Sequence, residues 1–191
     1  MLKIINQNKK YLMFIGIILL AGLFMGIIYY FFISNDTKEI ISNTLINYNN
    51  YRYNAIFKDL IIMSLLLVTS IFVIGIPCSL FYVFYEGFSI GFLSSVFFIN
   101  FSFSGLIYIL LYFIVNKLFV LLLMTFFIKK IINISRCIVR LIVYKKDNCI
   151  KMNLVNTFCS SIYLIISVLI INIILYFITP YIFSTVSFLI K

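Results

Sequence analysis

The sequence contains no histidine and no tryptophan, and only five of its 191 residues are acidic. Without histidine, the Ser–His and Cys–His pairs that activate nucleophiles cannot form, and zinc sites lose their commonest ligand. No G-x-x-x-x-G-K phosphate-binding loop is present. We therefore expect a protein that is not an enzyme and that holds no cofactor and no metal ion.

Charge is also scarce, since charged residues make up 10% of the chain and hydrophobic residues 64%. A soluble domain is about half apolar and a quarter charged, so a water-soluble globular protein is excluded. Five spans of about 20 residues each would use roughly 100 residues. The composition predicts an all-α fold, a polytopic membrane helical bundle with about five transmembrane helices in a single domain, residues 1–191.

The four cysteines have no metal-ligand spacing such as C-x-x-C, so we expect free thiols. The formal net charge is +10, yet the basic residues flank apolar runs. The positive-inside rule explains this distribution better than nucleic-acid binding does. Membrane lipid is therefore the expected partner, and nucleic acid is not.

The hydropathy pattern predicts five spans, which cover residues 11–33, 60–81, 83–101, 105–128 and 154–178. Between them lie a polar outer segment, 34–59, a short turn at 100–104, and a basic inner segment, 129–153. Gly75 and Pro77 near the end of the second span should kink that helix, because proline lacks a backbone donor.

The lysines and arginines predict the orientation. With a cytoplasmic N-terminus, ten of them lie in inside segments and four in outside segments, while Lys117 lies within a span. Because cytoplasmic loops carry the excess of basic residues, we expect the N-terminus inside and the C-terminus outside.

Two glycine pairs have the spacing that brings helices close together. Gly22 and Gly26 lie in the first span, and Gly87 and Gly91 in the third. Glycine at i and i+4 removes the side chains from one helix face, so a neighbouring backbone can approach. We interpret both pairs as packing seams, within the chain or with a partner; chance spacing is the alternative.

Three polar residues, Glu86, Asn116 and Lys117, lie within predicted spans. A transport function would make Glu86 or Lys117 an ion or proton ligand. A structural function would make them an interhelical pair, or let Glu86 reach the cytoplasmic interface. With one acid, one base and no further relay residue, we favour the structural interpretation.

The outer segment begins with helix-start chemistry, because Asp36 can cap the following amides and Glu39 lies in the capping-box position. The pattern predicts a short amphipathic helix on the outer leaflet, which is either a solvated connector or a docking surface for a partner. Three tyrosines suited to such a surface are Tyr48, Tyr51 and Tyr53. The inner segment, in turn, resembles an interfacial helix on anionic lipid.

Residues 75–92 carry a family resemblance. Gly75-Ile76-Pro77, followed by Gly87-Phe88-Ser89-Ile90-Gly91-Phe92, resembles the stage II sporulation protein M family, which has Gly-x-Pro and then Gly-Phe-x-x-Gly-Phe. Length, five spans, a basic inner loop and an outside C-terminus are similar too. Glu86 stands where the family commonly has a basic residue, and Asn116 lies where it commonly has Pro and Asn.

The resemblance implies a non-enzymatic membrane scaffold for endospore engulfment. Members of the family anchor two peptidoglycan hydrolases at the sporulation septum, in the mother-cell membrane. Those hydrolases are the partners that the resemblance implies, and the cell membrane is the implied location. The alternative is a small permease or the membrane subunit of a transporter. The oligomeric state is not specified by the sequence.

Overall fold

A computed structural model describes residues 2–46, 52–72, 74–113, 117–144 and 148–190, with side chains described mainly within 11–41, 58–100, 117–142 and 151–178. These residues form helices and no strands, so the predicted all-α fold is confirmed. The six helices are α1 (Leu2–Phe32), α2 (Asn35–Ile46), α3 (Arg52–Ile71), α4 (Gly75–Tyr112), α5 (Leu118–Tyr144) and α6 (Asn148–Ile190).

Four helices in the described part of the chain contain a segment that is long and apolar enough to cross a membrane. The segments are Tyr11–Phe32, Gly75–Asn100, Leu118–Ile142 and Lys151–Ile178. Large apolar side chains point outward along them; Phe24, for example, is 62% exposed and Phe177 is 64% exposed. Such exposure is unfavourable in water but suits contact with acyl chains, as in a multi-pass membrane protein.

The helix boundaries differ from the predicted spans around Pro77. The expected span 60–81 is divided, because α3 ends at Ile71 and α4 begins at Gly75. The proline ring would clash with the carbonyl four residues earlier, so a helix cannot run through that point undisturbed. In the first turn of α4, however, the missing N–H of Pro77 costs little, since N–H groups there have no intrahelical acceptor.

The predicted turn at 100–104 is absent, because α4 continues to Tyr112. Polar side chains near the expected turn bond to their own helix: Asn100 Nδ2 donates to Val96 O at 2.9 Å, and Ser95 Oγ donates to Gly91 O at 3.1 Å. Because these side chains find hydrogen-bond acceptors within α4, the helix can continue past them. The predicted span 105–128 is thus divided between α4 and α5, and most of the basic inner segment 129–153 is helical.

The described chain forms two compact units. The first contains α1, α2 and α4 from Leu80 onward, and the second contains α3, the first residues of α4, α5 and α6 up to Tyr181. In the first unit, fully buried side chains include Ile15, Tyr30 and Val96. In the second, they include Met63, Phe127, Ile131, Ile134 and Val168. Each unit therefore has an apolar core of its own.

Candidate functional site

The two glycine pairs meet in one helix crossing within the first unit. A Cβ atom built on Gly22 would lie 3.0 Å from Phe88 N and closer still to Phe84 O. At Gly26, a Cβ would lie 2.8 Å from Phe92 N and would overlap Phe88 O. The backbones of α1 and α4 are therefore in direct contact, which only glycine permits at these two positions.

The contact is reciprocal, because a Cβ on Gly87 would overlap Leu19 O and one on Gly91 would overlap Leu23 O. Residue numbers increase together along the two helices, so α1 and α4 run parallel where they cross. Gly16 also belongs to α1, but a Cβ built there would have nothing within 4 Å. The glycines that the spacing singled out are thus those that the crossing requires.

Aromatic rings extend this crossing along one side. The ring centroid of Phe88 lies 5.4 Å from that of Tyr29, and the centroid of Phe92 lies 5.7 Å from that of Tyr30. The glycines and the phenylalanines of the segment Gly-Phe-x-x-Gly-Phe therefore make different contacts with α1. Its glycines admit the α1 backbone, and its phenylalanines pack against α1 tyrosines in tilted and edge-on geometries that aromatic pairs prefer.

Glu86 lies beside the crossing and is 8% exposed. Tyr82 Oη, one turn earlier on α4, donates a hydrogen bond of 3.1 Å to Glu86 Oε1. A buried carboxyl group needs such a donor. Lys117 is half-buried just before α5, in the other unit, and Asn116 lies outside the described residues. The predicted pairing of Glu86 with Lys117 stays a prediction.

The outer segment contains the predicted helix, α2, but the helix begins two residues earlier than expected, so Asp36 is not its cap and Glu39 is not in the capping-box position. Ser34 holds the N-cap position, with its Oγ 2.6 Å from Thr37 Oγ1 and its carbonyl accepting from Lys38 N. Asp36 lies in the first turn of α2, where its negative charge interacts favourably with the positive end of the helix dipole. Lys38 Nζ lies 5.5 Å from the centroid of the Tyr30 ring, which ties α2 to the end of α1.

The three candidate partner residues of this segment are not described in the structure. Tyr48 and Tyr51 lie outside the described residues, and for Tyr53 only the backbone, in α3, is described. Their proposed part in binding a partner stays a prediction.

In the second unit, Gly75 lies where the chain turns between α3 and α4. A Cβ on Gly75 would lie 2.5 Å from Ser70 Cα and 2.8 Å from Thr69 O, so no larger residue fits. Ser70 O, in the last turn of α3, accepts a hydrogen bond of 2.9 Å from Ser135 Oγ of α5, and both serines are fully buried. Pro77 is exposed and acts through its backbone alone.

A second buried polar contact was not foreseen from the sequence. Asn172 Nδ2 of α6 donates to Asp59 Oδ2 of α3 at 3.2 Å, and Asn172 is 8% exposed. The two residues are separated by 113 positions. Asn172 itself was the available signal, because it lies among apolar residues of the fifth predicted span, where an amide needs a partner.

Polar faces of α5 and α6 also line an open cavity of about 380 Å³ in the second unit. On α5 it is lined by Lys130, Asn133, Arg136, Cys137 and Arg140. On α6 it is lined by Asn153, Asn156, Thr157 and Ser160. On each helix these positions recur every three or four residues and share one face, a periodicity that could have revealed the cavity from the sequence.

The described residues include no group of His, Cys, Asp or Glu side chains suited to hold a metal ion. Comparisons of the chain with protein-family models, with curated proteins and with solved structures find no match. The resemblance to the stage II sporulation protein M family therefore rests on residues 75–92 and on the arrangement of spans predicted from the sequence.

Proposed function

We propose that this chain is a non-enzymatic membrane scaffold that holds partner proteins at the outer face of the membrane. On the strength of the family resemblance, the partners are two peptidoglycan hydrolases of endospore engulfment, and the location is the septal membrane of the mother cell. The observation that carries the proposal is the α1–α4 crossing. In it, Gly87 and Gly91 of the segment that resembles the family pack directly against the backbone of α1.

The crossing supports a scaffold in a second way. Gly22, Gly26, Gly87 and Gly91 pack against backbone of the same chain, so this close-packing surface is already occupied. A partner helix that used the same glycines would have to displace α1 or α4. Contacts with partners are then left to other surfaces, and the outer segment 34–59 is the longest polar one on the predicted outer side.

The start of the outer segment is suited to present a surface. The cap at Ser34 begins α2, and the contact between Lys38 and Tyr30 joins α2 to the end of α1. Ile40 of α2 is 63% exposed, and the three tyrosines follow within the same segment. Tyrosine is enriched at protein interfaces because its ring buries a large area while its hydroxyl finds a polar partner.

A small permease or a transporter subunit is the alternative function. It would require a partner ATPase or a continuous polar path through the bundle. Gene neighbourhood distinguishes the two: sporulation genes under a mother-cell promoter support the scaffold, and an adjacent ATPase gene supports the transporter.

Deletion of the gene tests the proposal directly. In sporulating cells, we expect membrane-dye microscopy to show a division septum that forms but fails to engulf the forespore. Fluorescently tagged hydrolases should then be dispersed instead of septal. Normal engulfment in the deletion strain, with hydrolases at the septum, would refute the function.

Complementation with variants locates the contact surface. Replacing Tyr48, Tyr51 and Tyr53 by serine should mislocalise the hydrolases while leaving the amount of this protein in the membrane unchanged. Gly87→Leu, by contrast, should lower the amount of protein, because it forces α1 and α4 apart. If the tyrosine variant recruits the hydrolases normally, the outer-segment assignment is wrong.

A further inference from the structure

The cavity between α5 and α6 has the charge of an anion site. Three cations, Lys130, Arg136 and Arg140, line it, and none of its lining residues is acidic. Like charges that line one cavity repel one another, and an anion among them lowers that repulsion. Lys130 is half-buried, whereas both arginines are exposed at the mouth, so a ligand could enter from the surface.

The lining groups divide into hydroxyls that are already bonded and nitrogen donors that suit an anion. Thr157 Oγ1 donates to Asn153 O at 2.6 Å and Ser160 Oγ to Thr157 O at 2.8 Å, so both hydroxyl protons are used within α6. The nitrogen donors of the lining are guanidinium, ammonium and amide groups. Arginine forks match the oxygens of a phosphate group, and amide N–H groups complete its coordination.

Apolar side chains are exposed on the other faces of both helices. Ile142 of α5 and Met152 of α6 are each 68% exposed, and Val155 is 56% exposed. A free phosphate ion would gain nothing from these apolar faces. A phospholipid would gain, because its phosphate carries apolar chains.

We propose that this cavity binds a phosphate group, and that the phosphate belongs to the headgroup of an anionic phospholipid. The predicted topology supports this source, since it places the link between α5 and α6 on the cytoplasmic side, and anionic lipids enrich the cytoplasmic leaflet. The proposal is independent of the scaffold function. It assigns α5 and α6 a specific lipid site, in place of a general attraction between a basic helix and the membrane surface.

The native cysteines provide the test. Full-length protein that retains Cys137 alone, with the other cysteines replaced by serine, is reconstituted in phosphatidylcholine vesicles with or without phosphatidylglycerol. The rate of maleimide modification of Cys137, which lines the cavity, is then measured. We expect phosphatidylglycerol to slow it several-fold and inorganic phosphate in the buffer to leave it unchanged.

Matched variants and a matched cysteine serve as controls. Arg136→Gln or Arg140→Gln should weaken the protection by phosphatidylglycerol about tenfold in lipid concentration, as expected for one charge-assisted hydrogen bond. Lys151→Gln removes the same charge from α6 outside the cavity and should retain the protection. A protein with only Cys159, which is exposed and outside the lining, should react equally fast in both membranes.

Three results would overturn the proposal. Equal slowing at Cys159 would mean a general surface effect, and equal behaviour of Arg140→Gln and Lys151→Gln would mean diffuse charge attraction. Protection by inorganic phosphate but not by phosphatidylglycerol would assign the cavity to a soluble phosphate compound, against the lipid.

Discussion

At the scale of single residues, the glycines differ in what surrounds them. Gly22 and Gly26 face backbone atoms of α4, whereas Gly16, on the same helix, faces open space. In lipid there is little hydrophobic drive between helices, so close backbone contact and its dispersion energy hold them together. A methyl group at Gly22 would overlap the backbone oxygen of Phe84. That oxygen could move away only if α4 moved as a whole.

Gly22→Leu should therefore destabilise the protein by about 1–3 kcal/mol, the usual cost of overpacking. Thermal unfolding in detergent measures this as a lower midpoint. Gly16→Leu makes the same chemical change in the same helix and should leave the midpoint nearly unchanged. Equal effects of the two substitutions would contradict the close crossing.

Asn172→Leu should destabilise the protein by about 0.6–2 kcal/mol, the range measured for interhelical hydrogen bonds in membranes. The substitution removes the amide that donates to Asp59 and leaves a carboxyl oxygen without that donor. Ser167→Ala in the same helix is the control, because Ser167 Oγ donates to Tyr163 O of its own helix turn. Unfolding midpoints of the two variants in detergent give the comparison.

At the scale of helices, the turn between α3 and α4 depends on Gly75 and Pro77 together. Proline prevents α3 from continuing, and glycine lets the chain fold back, where even a Cβ would lie 2.8 Å from Thr69 O. Ser135 of α5 then donates to Ser70 O at the end of α3. The sequence predicted a disturbance here, and in the structure it is the boundary of two helices.

Gly75→Val should accordingly destabilise the protein by about 1–3 kcal/mol, since its Cβ would meet Ser70 Cα. Cys78, three residues into α4, offers a local readout: its reactivity toward a small maleimide should rise as the turn opens. Ile76→Val, at a half-buried neighbouring position, should change neither quantity. Unaltered reactivity in the glycine variant would contradict the role of the turn.

The same elements show what a sequence could and could not specify. Composition determined the all-α membrane class, since a bilayer is the environment that accommodates so many apolar residues in helices. Glycine spacing marked α1 and α4, because a missing side chain is a local property. The end of α4 was missed because Asn100 satisfies its amide within its own helix, and Asp59–Asn172 was missed because its partners lie 113 residues apart.

At the scale of the whole molecule, the crossing constrains the path of the chain through the membrane. Because α1 and α4 are parallel and each can span, the residues between them must bring the chain back. Among the described helices there, α3 is the longest, with 20 residues and a length of about 30 Å, and its apolar part, after Asp59, begins the predicted span 60–81. We therefore expect α3 to be a fifth span, which agrees with an inside N-terminus and an outside C-terminus.

Cysteine labelling in intact cells tests that topology. Native Cys149 and an introduced Asn49→Cys are each made the single cysteine and exposed to an impermeant maleimide. If α3 crosses, the two positions lie on opposite sides, and we expect Asn49→Cys to react while Cys149 reacts only after permeabilisation. Labelling of both from the same side would mean that α3 does not cross.

The parallel crossing also has a consequence for biosynthesis. Gly22 and Gly87 are separated by 65 residues in the chain, which a ribosome adds in roughly 3–13 s at about 5–20 residues/s. During that interval α1 is in the bilayer, and its backbone at Gly22 and Gly26 faces lipid instead of α4. Nascent chains that end before Gly87 should therefore be open to association with other helices and to membrane proteases, and they should become resistant once the partner strip of α4 has been inserted.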